Sequence, residues 1–134
     1  MPFYRFVTGR ELDFIKCNKA LLPSSHYRPY QPNEVVCLFE SDDLPALFKR
    51  YAAALADMRD LKVGEKLIIL EADHSIGLLE EDKSQSGWKE SRVLRGAIAA
   101  EKLTIVAESV VSSGSAGVVT LGSLTTLPRS PLTS

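Results

Sequence analysis

Two apolar runs, "EVVCLFE" (residues 34–40) and "KLIILEA" (residues 66–72), flank the segment that most constrains this chain. Between them Leu44, Leu47, Phe48, Tyr51, Leu55 and Met58 recur at i, i+3, i+4, i+7, i+11 and i+14, one stripe of an amphipathic helix. "SDDLP" ahead of the stripe offers Ser and Asp as caps and Pro45 for the first turn. The flanking runs are short, β-branched or apolar, and bounded by turn residues, which marks buried strands. Residues 35–39, 66–72 and 103–106 are expected as neighbouring strands of one sheet. Leu47, Phe48, Tyr51 and Leu55 should pack on it.

The remaining elements are shorter. Residues 4–7 alternate and suit a first strand; Thr8 and Glu11 follow at capping-box spacing, so a helix should run from there to about Cys17. "NKALLPSSHYRPYQPNE" holds three prolines and no period, and reads as a long loop. Loops of that length are usually functional or disordered. After the strand at 66–72 comes an irregular polar stretch. Residues 92–94 and 103–107 suggest two more strands, separated by a turn at Gly96 and a short helical bend. Beyond Glu108 the composition turns to Ser, Thr, Gly and Pro. Residues 118–121 suggest an edge strand, and the last ten or so residues are expected to be a disordered tail.

Two or three short helices cannot cover both faces of a large parallel sheet. The expected class is α+β, with a split mixed or antiparallel sheet as its core. The chain's 134 residues fit one domain, here residues 1–108, with 109–134 as edge strand and flexible tail. A net charge of −1 argues against a broad electrostatic grip on nucleic acid. No apolar run approaches the roughly 20 residues of a membrane span, and the first residues lack the apolar core of a secretory signal. Cys17 and Cys37 are too few and too far apart for a zinc cluster or disulfide framework, which suits a reducing cytoplasm. His26 and His74 lack metal-ligand spacing, so no metal is expected.

Four pieces of sequence carry a resemblance: "FYRFV", "ELDFIKCNKALLPSS", "VVCLFESDDLPALFKRYA" and "ESRVLRGAIAAEKLTIV". In that order they resemble the ADP-ribosyltransferase-like fold of small bacterial NAD-using domains, over about residues 3–107. The resemblance implies an enzyme that breaks the nicotinamide–ribose bond of NAD, as a transferase or glycohydrolase and as a toxin or effector. It implies Arg5 and its neighbour Tyr4 on the dinucleotide, Ser41 shaping the nicotinamide pocket, and Glu90 stabilising the oxocarbenium-like transition state. The aromatic side chains Tyr27, Tyr30 and Trp88 would stack on nicotinamide or adenine. The acceptor would be a protein or nucleic acid.

Two departures stand out. The family's serine-threonine-serine stretch is only "FES" here, and Trp88 replaces the acidic or amide residue often found two before the glutamate. Both point away from a protein arginine as acceptor, and toward NAD hydrolysis, another acceptor or a degenerate fold.

Each candidate also has an ordinary role. Glu90 lies beside Lys89 and Arg92, where solvated edge pairs would be worth about 0–1 kcal/mol. Arg5 sits in an apolar strand, where a guanidinium is costly unless paired, or it points outward from an alternating strand. Ser41 suits a helix N-cap, and Trp88 suits a core or rim anchor. The alternative function is therefore a non-catalytic interaction or immunity-type module with a cognate partner protein. Convergence of Arg5, Ser41 and Glu90 in one cleft would favour the enzyme; separation would favour the module.

Overall fold

The computed structural model describes residues 2–23, 35–77, 79–81, 89–113 and 119–132. Strand β1 (Phe3–Thr8) leads into α1 (Gly9–Asn18), and a two-residue strand β2 (Ala20–Leu21) follows. Next come β3 (Val35–Glu40), α2 (Leu44–Met58) and β4 (Lys66–Ala72). A 3-10 turn (His74–Ile76) precedes β5 (Glu80–Glu81), β6 (Ser91–Arg95) and β7 (Ile98–Ala99). A second 3-10 turn (Ala100–Lys102) then feeds the long β8 (Leu103–Ser113), β9 (Val119–Leu121) and β10 (Thr125–Pro131).

The main sheet runs β10-β8-β4-β1-β3-β6-β5, with β9 also on β8, and β2 pairs with β7 apart from it. Every described pairing is antiparallel. The class is α+β with two helices. The sheet is antiparallel where a mixed one was admitted, because each neighbouring pair runs in opposite directions. The three expected strands share the sheet, and β4 does adjoin β8, but β1 lies between β3 and β4.

Strand alternation gives the sheet two buried faces. Tyr4, Phe6, Phe39, Leu67 and Ile69 pack with Leu47, Tyr51, Ala52 and Leu55 of α2. The intervening positions Val7, Val36, Leu38, Ile68 and Leu70 pack with Leu12 and Ile15 of α1 and with Leu21 and Ile98. The two helices thus cover opposite faces.

Helix starts follow local chemistry. Thr8 Oγ1 accepts the Glu11 backbone N–H at 3.1 Å, the first half of a capping box. The second half is absent, because the Glu11 carboxylate turns to Arg5 instead. Asp43 caps α2 by accepting the Ala46 N–H at 3.1 Å. Ser41 is therefore not the N-cap; its Oγ accepts the Asp43 N–H at 3.0 Å and orders the turn before it. Gly96 has a φ of +96° in the turn between β6 and β7, a conformation that favours glycine.

The expected tail is a strand. Thr125–Pro131 pairs with β8 from Thr104 to Glu108, across a register shift between Thr126 and Ser130. The buried Ser109 hydroxyl donates to the Gly122 carbonyl at 2.9 Å and fixes the chain that leads there. Leu124 and Leu132 pack on the two cores. Deleting residues 124–134 should lower the thermal midpoint by roughly 5 °C or more, since about 2 kcal/mol of edge pairing and packing is lost. An unchanged midpoint on scanning calorimetry would contradict this.

Candidate functional site

Glu90 sits in the turn that opens β6. Its carbonyl accepts the Glu40 N–H at 2.8 Å, so its backbone extends the β3–β6 ladder by one step. Its side chain leaves the edge and reaches α2. Arg50 Nη1 donates to one carboxylate oxygen and the Tyr51 hydroxyl donates to the other. The solvated pairing with Lys89 and Arg92 is not what forms. Arg92 instead places Nε 3.5 Å from Glu40 and donates Nη1 to the carbonyls of Lys89 and Ser91.

The position of the Tyr51 hydroxyl is set by the core. The Tyr51 ring stacks on Phe39 with centroids 5.0 Å apart, and Phe39 lies 5.6 Å from Phe6. Arg50 also lies 5.9 Å from the Tyr51 ring centroid, within cation–π range. Burial alone would raise the Glu90 pKa. The Tyr51 hydroxyl, the residue's own backbone and Arg50 outweigh burial and hold the carboxyl below the ordinary glutamate range. The Tyr51 phenol is pushed up, by burial first and then by its bond to Glu90. At neutral pH the pair is a carboxylate and a neutral phenol.

Ser41 lies at the same end of the sheet. Its N–H donates to the Pro2 carbonyl at 3.1 Å, one residue beyond the Glu40–Glu90 contact.

Arg5 does something different. The β1–β3 ladder pairs Phe3 and Tyr4 with Glu40 and Phe39 and is recorded no further. Just past its end, Arg5 Nη1 donates to the Cys37 carbonyl at 2.9 Å and Nη2 to Glu11 Oε1 at 2.6 Å. The second Glu11 oxygen is 4.0 Å from Arg59 Nε. Arg5 is a strut beneath α1, bridging β1 to β3 and to the first turn of α1. It is neither an outward residue nor directed toward Glu90, whose side chain joins α2 on the other face.

Tyr4 is buried in the α2-side core, where burial, and then the Glu71 charge, raise its phenol pKa. Tyr27, Tyr30 and Trp88, with His26, lie outside the described residues. The structure thus brings Ser41 and Glu90 to one end of adjoining strands and leaves Arg5 one strand away on the opposite face.

A pocket of about 220 Å³ is lined by Thr8, Arg10, Arg59, Asp60, Leu61, Lys62 and Glu65. Thr8 is five residues along β1 from Phe3, so this pocket is about 17 Å from the Glu90 end. It includes none of the sequence candidates. Its polar groups engage one another, with Lys62 Nζ 3.1 Å from Asp60 and the Lys62 N–H donating to Glu65 at 2.8 Å.

Sequence reasoning missed Arg50, and it read Tyr51 as core alone. A tyrosine on a buried stripe does carry a signal, because its hydroxyl needs a polar partner. The sequence offers no means of choosing which.

No family model, curated protein or solved structure matches the chain. Among the described residues, no group of three or more His, Cys, Asp or Glu is placed to hold a metal ion. No described helix is long and apolar enough to cross a membrane.

Proposed function

We propose that this chain is an ADP-ribosyltransferase-like domain that cleaves the nicotinamide–ribose bond of NAD. The observation that carries this reading is strand order. β1, β3 and β6 are consecutive in the sheet, with Arg5 on β1, Ser41 just after β3 and Glu90 just before β6. Of the four segments behind the resemblance, the three that hold these residues are scattered in sequence, and their strands are adjacent in space.

In this reaction the bond from the anomeric carbon to the nicotinamide nitrogen breaks, and its electron pair leaves with neutral nicotinamide. The positive charge left on the sugar needs a nearby carboxylate more than a strong nucleophile. Glu90 is ionised at neutral pH and anchored on two sides, which suits that role. Water or an acceptor then bonds to the carbon and gives up a proton. A guanidinium fork matches a pyrophosphate, but Arg5 is held by Glu11 and the Cys37 carbonyl on the face opposite Glu90, so the dinucleotide contact falls to other residues.

A second reading has its own support. Arg5 and Glu90 are each tied into a separate ion pair on opposite faces, and this separation, in place of a shared cleft, favours a non-catalytic interaction module with a cognate partner protein. Calorimetric titration with NAD separates the two. The enzyme reading expects binding at or below millimolar NAD. Absence of binding at millimolar NAD would leave the module.

A further inference from the structure

Resting on the NAD reading, we infer that Tyr51 is the positioning residue of Glu90, a fixed anchor for its carboxylate, and that Arg50 is only an exchangeable counter-charge. Adjacent residues of α2 take the two carboxylate oxygens separately, Tyr51 Oη on Oε2 and Arg50 Nη1 on Oε1. A glutamate in a turn has several side-chain torsions and no reason of its own to hold one direction. The Tyr51 hydroxyl on Oε2 supplies that direction, and Arg50 adds a charge on Oε1.

The two donors differ in rigidity. The Tyr51 ring is buried and stacked on Phe39, which in turn meets Phe6, so its hydroxyl is placed by the core. The Arg50 side chain is 56% exposed and that of Glu90 23%. An ion pair so open to water is weak and easily exchanged. A carboxylate held only by a fixed guanidinium would have its charge compensated and would stabilise a sugar cation poorly. Held by a neutral phenol, it keeps its full charge while one oxygen is released to the substrate. Preorganised groups of this kind spare the reorganisation that would otherwise accompany the reaction.

The test follows the Glu90 carboxyl carbon by NMR through an acid titration in wild type, Tyr51→Phe and Arg50→Ala, with thermal midpoints as controls. Tyr51→Phe keeps the ring and its stack. Without the hydroxyl, the Glu90 titration midpoint should rise, and the acid limb of the nicotinamide-release profile should rise by the same amount. Turnover should fall about 10-fold or more with KM little changed. Arg50→Ala should raise the midpoint yet keep turnover within about threefold, because Arg50 leaves the carboxylate before the cation forms. A midpoint unmoved in Tyr51→Phe overturns the inference whatever NAD does. A midpoint that rises in a protein whose wild type releases no nicotinamide overturns the NAD reading and this catalytic role with it, and leaves only a structural contact.

Discussion

Arg5→Ala will lower the unfolding free energy by about 3 kcal/mol, measured by urea titration. Arg5 and Glu11 are each only 16% exposed, so water does little to compensate for a lost partner. Removing the guanidinium leaves the mostly buried Glu11 carboxylate with only the more distant Arg59, 4.0 Å away, as counter-charge and takes a donor from the Cys37 carbonyl. The Arg5→Ala/Glu11→Ala double variant should be clearly less destabilised than the sum of the singles, since the two directly paired charges are then removed together. A cost below about 1 kcal/mol for Arg5→Ala would mean that the pair behaves as a solvated one and that the strut does not hold β1 to β3.

If the chain cleaves NAD as proposed, Glu90→Gln should reduce nicotinamide release on the order of 100-fold or more. The amide keeps the shape, and its oxygen can still accept from Tyr51, so the thermal midpoint should move little. What is lost is the charge opposite a developing cation. NAD binding should survive far better than turnover, because that charge develops only in the transition state. Equal losses in binding and turnover would mean that Glu90 acts on the ground state.

The parts legible from sequence are those set by local periodicity. The strand at 34–40, the α2 stripe and the strand at 66–72 are each decided by residues a few positions apart, and each formed where expected. Strand order is not local, which is why β1 between β3 and β4 could not be read. β10 has two prolines, no alternation and almost no burial of its own; it is a strand because the edge of β8 offers it hydrogen bonds. Glu11 was read as a capping residue from its spacing to Thr8, whereas an apolar strand that carries Arg5 makes it the ion-pair partner. Glu90 finds partners 39 and 40 residues away on α2. Its neighbours Lys89 and Arg92 gave the wrong answer because side-chain direction at a turn is set by what packs over it.

The proposed NAD-cleaving site rests on Glu90, which the adjoining strands β3 and β6 bring beside Ser41. The measurement that tests it most directly is nicotinamide release from NAD by the purified protein, alone and with cell extract, beside Glu90→Gln. The expected result is release by wild type in at least one of the two conditions, and its near-complete loss in the variant. No release by wild type in either condition, or equal release by both proteins, would contradict it.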